Sequence, residues 1–204
     1  MKALDSTGFS SATRGQLQDN LHRFQDRQQR DTSLRAAAVA VTVFEHEGEC
    51  AVIVTQRAGS LREHGGQWAL PGGRIDGNEN AIEAALREMQ EEIHLELDKS
   101  DVVGILDDYQ TRSGYVITPV VLWADIEFDQ LEPNPDEVAS IHPFTFSDLS
   151  RSDSPHLESI PESDRPVLSI HFGSIRIYAL TSLTINPSDP LLVINPSDPL
   201  LLSY

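Results

Sequence analysis

Apolar runs separated by short polar turns predict a sheet near the beginning of the chain. In RAAAVAVTVFEHEGECAVIVTQR, two apolar stretches at about 36–44 and 50–56 flank the polar turn EHEGE, a pattern typical of two buried strands. DVVGIL, YVITPVVLWADI and DEVASIHPF predict three more strands, and PVLSIHFGSIRIYALT predicts a hairpin that turns at Phe172 and Gly173. The polar segment LSRSDSPHLESIPESD, which lies between DEVASIHPF and the hairpin, is predicted to be a surface loop.

A polar stretch near the N-terminus has apolar residues at helical spacing. Within residues 13–31, these are Leu17, Leu21 and Phe24. Such a pattern predicts an amphipathic helix that lies on the surface of the domain. We therefore expect an N-terminal helical segment, residues 1–34, to pack on the main domain.

The C-terminal part of the chain is rich in proline and contains a short repeat. We expect the main domain to cover 35–182 and a Pro-rich tail to cover 183–204. INPSDPLL occurs at 185–192 and again at 194–201, a nine-residue spacing. Two copies are too few for a solenoid. The tail is either a Pro-stiffened extension or an arm whose leucine pairs dock on a second subunit, which would make a homodimer.

A second helix is predicted to begin after Asn80. Asn is a favoured N-cap residue, and Glu83 three positions later completes a capping box. Apolar residues then recur every three or four positions and predict a core-facing stripe, formed by Ile82, Ala85, Leu86, Met89 and Ile93. Arg87 is expected to pair with Glu83, one turn earlier in the helix.

Charge and cysteine content exclude several classes of protein. The net charge of −17 opposes binding to nucleic acid or to an anionic membrane surface. No apolar run reaches the ~18 residues that suggest a membrane span, and the first residues have no apolar signal core. With one cysteine, Cys50, an intrachain disulfide and a multi-cysteine metal site are excluded. These features favour a cytoplasmic protein.

Three acids lie together near the end of the second predicted helix. Glu88, Glu91 and Glu92 have the spacing of neighbours on one helix face. One interpretation is a solvated acidic face. However, acids near a helix C-terminus oppose the helix dipole, and no basic residue lies between Arg87 and Lys99 to offset them. The other interpretation is a site for a hard divalent cation, because converging carboxylates suit Mg²⁺.

The segment from Gly73 resembles the Nudix box, the signature of hydrolases that cleave a nucleoside diphosphate linked to another group. The pattern is G-x5-E-x7-R-E-U-x-E-E-x-G-U, where U is aliphatic. Eight positions match: Gly73, Glu79, Arg87, Glu88, Met89, Glu91, Glu92 and Leu95. The one departure is His94, where the family has Gly. A Gly just past a helix often has left-handed backbone, so we expect positive φ at His94.

The resemblance implies a fold and a set of roles. The fold would be the Nudix α/β/α sandwich with a mixed β-sheet. Glu88, Glu91 and Glu92, together with the Gly72 carbonyl, would hold Mg²⁺ or Mn²⁺. The resemblance also implies that Arg87 and Glu79 orient these carboxylates. A carboxylate would accept the proton of the attacking water, and the alternatives are Glu88, Glu91 and Glu137.

The flanking segments are similar to the coenzyme A pyrophosphatase branch of that family. TQRAGSLREHGGQWALPGG matches the motif before the box at Thr55, Arg57, Ala58, Arg62, Gly66, Pro71, Gly72 and Gly73. Leu70 stands where that branch often has Phe. LDDYQTRSGYVITPVV, EPNPDEV and the late IRIYALT also resemble the branch.

The arginines near the predicted site suit a ligand with several phosphates. Arg57, Arg62 and Arg74 flank the loop before the box, and Arg112 lies in a later loop. A guanidinium fork matches phosphate oxygens. The alternative is that these arginines only balance neighbouring acids.

Coenzyme A is therefore the predicted substrate, and it is not the only candidate. ADP-ribose, dinucleotides and nucleoside triphosphates are substrates for the same box. A nucleotide-binding module without catalysis is another class, although such modules usually lack some of the acids. An isomerase of this fold is disfavoured, because Cys50 lies far from the box in the sequence.

Overall fold

The computed structural model describes residues 7–22, 33–59, 66–110 and 114–149. Beyond residue 150 it describes the backbone of five strands. Phe24, Arg62 and Arg112 lie outside the described residues, so the expectations on them stay predictions.

Three helices and thirteen strands follow one another in the described part of the chain. They are α1 (Ser11–Leu21), β1 (Arg35–His46), β2 (Glu49–Arg57), β3 (Trp68–Ala69), β4 (Gly72–Arg74), α2 (Ala81–Ile93), β5 (Val102–Ile105), β6 (Tyr109–Gln110), β7 (Tyr115–Trp123), β8 (Val138–Thr145), α3 (Phe146–Leu149), β9 (His156–Glu158), β10 (Val167–Phe172), β11 (Ile175–Tyr178), β12 (Leu183–Asn186) and β13 (Asp189–Ile194). None of the described helices has both the length and the apolar content to cross a bilayer.

Eight of the described strands form one mixed sheet. Its central order is β3-β2-β1-β7-β5, while β4 pairs with β1, β6 with β7 and β8 with β2. β1 and β7 run parallel, in register from Arg35 opposite Tyr115 to Val43 opposite Trp123. The other pairs in this sheet are antiparallel.

Helices cover both faces of this sheet. Side chains alternate along a strand, so Val41 and Val43 of β1 pack in the cluster with α1 and α3, and Ala38 and Ala40 pack in the cluster with α2. This arrangement confirms the predicted α/β/α sandwich with a mixed sheet. Small alanines on the α2 side let the helix approach closely, which holds its polar edge near β4.

α1 is held on its face of the sheet by a side-chain cap and an aromatic stack. Ser10 caps its first turn. Leu17 and Leu21 are buried as their spacing predicts, and the ring of Phe9 stacks on Trp123 with centroids 4.1 Å apart. The remainder of the predicted stretch, from residue 23 onward, lies outside the described residues.

The strands after β8 correct two expectations. β9 lies within the segment predicted as a surface loop, and it pairs with β10. The hairpin of β10 and β11 is confirmed, with Phe172 opposite Ile175. In the segment predicted as a Pro-stiffened tail, β12 and β13 pair as a second hairpin. Proline is tolerated there because both strands of a two-stranded sheet are edges.

Candidate functional site

The first turn of α2 fixes where its acidic edge points. The capping box is confirmed: the Asn80 side chain accepts from the backbone N–H groups of Ile82 and Glu83, and Glu83 accepts from the N–H of Asn80. Lys99 Nζ also donates to Glu83, at 2.8 Å. The expected Arg87–Glu83 pair is therefore wrong, because Glu83 is engaged at the cap and Arg87 points elsewhere.

Arg87 joins three carboxylates and one carbonyl. Its Nε and Nη2 donate to the two carboxylate oxygens of Glu79, at 3.2 and 2.8 Å. Nη1 donates to Glu88 at 2.9 Å and to Glu91 at 2.8 Å, and Nη2 also donates to the Arg74 carbonyl at 3.0 Å. These contacts raise the pKa of Arg87, mainly through Glu79, and the Arg87 contacts lower the pKa of Glu79. Arg87 thus ties the helix to β4 and to the loop before α2.

Two of the three predicted metal-binding acids are buried. Glu88 is 8% exposed and Glu92 is 3% exposed, so neither belongs to a solvated face. A side chain at Gly73 would overlap the Glu88 carboxylate, so the glycine of the box makes room for this acid. Glu91 differs, because its side chain is 51% exposed and reaches back to Arg87.

Burial and crowding disfavour the ionised form of the buried pair. Burial raises the pKa of Glu88. Burial and the neighbouring Glu88 carboxylate raise the pKa of Glu92 to about 8. The Arg57 guanidinium, 3.9 Å from Glu92, and a backbone hydrogen bond from Gly72 act in the opposite direction. The site therefore crowds acids whose ionised forms are only partly stabilised by the cations of the described residues.

Glu137 reaches the same region from the loop before β8. Its N–H donates to the carbonyl of Asn134, whose own N–H donates to the Glu92 carbonyl, so the turn lies at the C-terminal end of α2. The Glu137 charge also contributes to the raised pKa of Glu88 and of Glu92. Its carbonyl accepts from the N–H of Ala58 at 2.8 Å, next to Arg57. The fold thus brings together the predicted site residues of α2, β2 and the β8 loop.

The predicted phosphate-binding arginines separate into two places. Arg57 lies at the acidic pair, and its Nε is buried without a hydrogen-bond partner among the described residues. The Arg74 side chain donates to the Tyr115 hydroxyl at 3.0 Å, and Arg35 lies over the same ring at 4.0 Å. The sequence had not suggested Arg35 or Tyr115, because only the parallel register of β1 and β7 brings them together.

The carboxylate oxygens at this site fit a divalent cation, although their present arrangement is not a complete metal-binding site. Among the described residues, no three His, Cys, Asp or Glu side chains are arranged as a ready metal site, since Arg87 holds Glu88 and Glu91. Carboxylate oxygens are ligands that Mg²⁺ and Mn²⁺ prefer. A cation beside Glu88 and Glu92 would offset the charge that raises their pKa values.

His94 has the left-handed backbone expected at the family's glycine. Its φ is 52° and its ψ 29°, and its N–H closes the helix on Gln90. This confirms the expectation of positive φ. The imidazole Nδ1 lies 2.9 Å from the Glu132 carbonyl in an exposed hydrogen bond, which a glycine would lack.

We expect His94→Gly to raise the free energy of unfolding by about 0.5 kcal/mol. Relief of left-handed strain is worth about 1 kcal/mol, and loss of an exposed hydrogen bond costs about 0.5 kcal/mol. His94→Ala is the matched control, because it loses the same hydrogen bond and keeps the strain. Urea unfolding should place the glycine variant about 1 kcal/mol above the alanine variant. Equal stabilities would contradict a strained position.

Comparison with known proteins agrees with this geometry. A NUDIX domain model matches residues 34–168. A protein of Cronobacter sakazakii named "Uncharacterized Nudix hydrolase NudL" is 38% identical over 120 residues, covering 57% of this chain and 60% of the relative. A protein of the same name in Enterobacter sp. is 33% identical over 142 residues, covering 66% of this chain and 72% of the relative.

A solved structure gives a more distant likeness. The Nudix hydrolase RenU of M. smegmatis is 24% identical, with a TM-score of 0.46, covering 57% of this chain and 73% of that one. The domain match covers more than half of the chain, and it includes α2 with its buried acids. The chain therefore belongs to the Nudix hydrolase family.

Proposed function

We propose that the protein hydrolyses a nucleoside diphosphate linkage with Mg²⁺ or Mn²⁺. We further propose that the substrate is coenzyme A or a derivative, cut within its pyrophosphate to 3′,5′-ADP and 4′-phosphopantetheine. The observation that carries the proposal is the buried pair of acids: Glu88 lies against Gly73 and is held by Arg87, and Glu92 lies 3.9 Å from Arg57. Burying two acids together costs stability, and cation binding is a reason to keep them.

The metal ligands in this proposal are Glu88, Glu91, Glu92 and the Gly72 carbonyl. A bound divalent cation supplies Lewis-acid stabilisation of charge on the phosphates and lowers the pKa of water. Arg87 fixes the orientation of Glu88 and Glu91, and Glu79 in turn fixes Arg87. Such fixed orientation keeps reacting groups in place and so lowers the reorganisation needed in the transition state.

Glu137 is the favoured acceptor for the proton of the attacking water. The alternatives, Glu88 and Glu91, each accept a hydrogen bond from Arg87 and are proposed metal ligands, so their oxygens are already engaged. Among the described residues no side chain holds the Glu137 carboxylate, and its backbone is bonded to Asn134 at the end of α2. A carboxylate at that place can accept the proton as a general base.

Arg57 is the described arginine that best suits a substrate phosphate. Its buried Nε has no partner among the described residues, and a phosphate oxygen would satisfy it. Arg74 has no carboxylate partner in the described part of the chain, although Tyr115 holds its side chain. Arg57, Arg62, Arg74 and Arg112 are all candidates for the 3′-phosphate. The sequence similarity at 55–73 and 106–121 supports coenzyme A over other diphosphates.

Dephospho-coenzyme A should be cut about 10- to 100-fold less efficiently than coenzyme A. A pocket that binds the 3′-phosphate leaves an arginine without its anion when that group is missing, and each tenfold is about 1.4 kcal/mol. The ratio of the two kcat/KM values measures this preference.

Arg57→Ala should lower the ratio of the two kcat/KM values. Arg14→Ala is the control, because Arg14 lies on α1 and donates to the Ser100 carbonyl. A ratio near one in the wild type would contradict 3′-phosphate recognition.

A substrate panel tests the proposed activity. Coenzyme A, dephospho-coenzyme A, ADP-ribose, NADH and a dNTP mixture are incubated with Mg²⁺ or Mn²⁺, and products are identified by mass spectrometry. The proposal predicts 3′,5′-ADP and 4′-phosphopantetheine as the dominant products. Faster turnover of ADP-ribose or a dNTP would contradict the coenzyme A assignment. Binding without turnover would indicate a nucleotide sensor.

A further inference from the structure

Asn134 connects the C-terminal end of α2 to the loop that carries Glu137. Its backbone N–H donates to the Glu92 carbonyl at 2.8 Å, and its Nδ2 donates to the Glu91 carbonyl at 3.1 Å. Its own carbonyl accepts from the N–H groups of Glu137 and Val138, at 3.0 and 2.8 Å. One residue therefore touches both the acidic helix end and the turn that presents Glu137.

We propose that Asn134 is a positioning residue that fixes the Glu137 carboxylate relative to Glu88 and Glu92. This inference rests on the proposed function, in which Glu137 accepts a proton beside the metal-binding acids. Asn134 itself does not touch the reacting atoms. Asn134 affects the reaction by setting the position of Glu137.

The neutral side chain of Asn134 is suited to cap the C-terminal end of α2, because the acids beside it are proposed to bind a metal. The last carbonyls of a helix need donors, and lysine or arginine often supplies them. The last turn of α2 has no basic residue. A cation here would pair with Glu91 or Glu92 and compete with a metal for them. The neutral amide of Asn134 satisfies these carbonyls without adding charge.

The turn that Asn134 organises is held on its other side as well. Asn134 Oδ1 accepts from the N–H of Asp136 at 3.2 Å, so the turn is closed by side chain and backbone. The Glu137 carbonyl accepts from Ala58 N–H, which ties it to the end of β2 beside Arg57. Glu137 is thus fixed between α2 and β2. Loss of the Asn134 side chain would remove its bonds to the Glu91 carbonyl and to Asp136, and would leave the backbone bond to the Glu92 carbonyl as the remaining hydrogen bond from Asn134 to α2.

A double-mutant cycle tests whether Asn134 acts through Glu137. The variants are Asn134→Ala, Glu137→Gln and the double variant, and the matched control is Asn80→Ala with and without Glu137→Gln. Asn80 also contributes two side-chain hydrogen bonds to α2, at its other end. Two quantities are measured: the affinity for Mn²⁺ alone by calorimetry, and kcat and KM on the panel substrate with the fastest turnover.

We expect Asn134→Ala to lower kcat about tenfold and Mn²⁺ affinity about threefold, with KM changed less than twofold. In the Glu137→Gln background, Asn134→Ala should lower kcat and Mn²⁺ affinity each by less than twofold. The reason is that the effects of two substitutions are not additive when one residue acts through the other. Asn80→Ala should have the same small effect in both backgrounds. If Asn134→Ala has equal effects in both backgrounds, Asn134 is only a helix cap and the inference is overturned.

Failure of the inference can be told apart from failure of the proposed function. If the wild type turns over no nucleotide of the panel, the proposed function fails. The role of Asn134 is then tested by the double-mutant cycle on Mn²⁺ affinity alone. Non-additive losses of Mn²⁺ affinity then support positioning, and independent losses overturn it. If the wild type does turn over a nucleotide and the losses are independent, the function stands without this role for Asn134.

Discussion

Glu92→Gln is expected to lower Mg²⁺-dependent turnover by about 10²- to 10³-fold, because one charged ligand would account for about 3–4 kcal/mol of transition-state stabilisation. Glu92 is almost fully buried beside Glu88 and within 3.9 Å of Arg57, so the amide fits with little change in shape. Steady-state kinetics at saturating Mg²⁺ measures the loss. Glu96→Gln is the control, because Glu96 is an exposed acid just after the helix. Near-normal turnover of the Glu92 variant would contradict its role as a ligand.

The same substitution should stabilise the metal-free protein, and more so as pH rises. The pKa of Glu92 is raised in the folded state to about 8, from an ordinary value of 4.5. Between these values the folded protein binds more protons than the unfolded chain, so the stability contribution of Glu92 falls as pH rises. Glutamine does not titrate. Melting temperatures with EDTA should therefore differ little at pH 5 and favour the variant clearly at pH 8. A less stable variant at pH 8 would contradict the proposed crowding of charge.

Arg87→Ala should reduce both activity and stability. It removes the contacts that hold Glu79, Glu88 and Glu91, and it leaves Glu88 buried without its partner. We expect a loss of about 10²-fold in kcat from misplaced ligands and about 1–3 kcal/mol in the free energy of unfolding. Kinetics and urea unfolding at pH 7 measure the two effects.

Arg87→Lys separates the charge from the geometry of the guanidinium. Lysine keeps the positive charge but cannot make the forked contact with Glu79 while also reaching Glu88 and the Arg74 carbonyl. We expect the lysine variant to recover most of the stability and little of the activity. Full recovery of kcat by lysine would show that only the charge of Arg87 matters, contrary to the orienting role.

Local signals in the sequence predicted the structure of α2 and its two ends correctly. The Asn80 capping box, the apolar stripe of α2 and the left-handed backbone at His94 depend on residues within a few positions of one another. Such short-range patterns predict structure because the residues that form a cap or a buried stripe are close together in the sequence. The apolar runs likewise predicted the long strands of the sheet, because a strand buried on both faces needs apolar residues throughout.

Contacts that cross the fold could not be predicted in the same way. The helical spacing suggested that Arg87 pairs with Glu83, whereas Arg87 bonds to Glu79, eight residues earlier and outside α2, and to two other acids of the helix. The link from Asn134 to Glu91 and Glu92 requires a loop to return to the helix end. β3, β4, β6 and β9 were missed because strands of two or three residues are too short to show a period.

The most direct test of the account is metal dependence of turnover by the wild-type protein. The protein is stripped with EDTA and desalted, and hydrolysis of coenzyme A is then followed while Mg²⁺ or Mn²⁺ is added back. The account predicts no measurable hydrolysis without metal and full recovery on addition, because the acids of α2 act by holding a cation. Hydrolysis that continues at an unchanged rate in the stripped protein would contradict it.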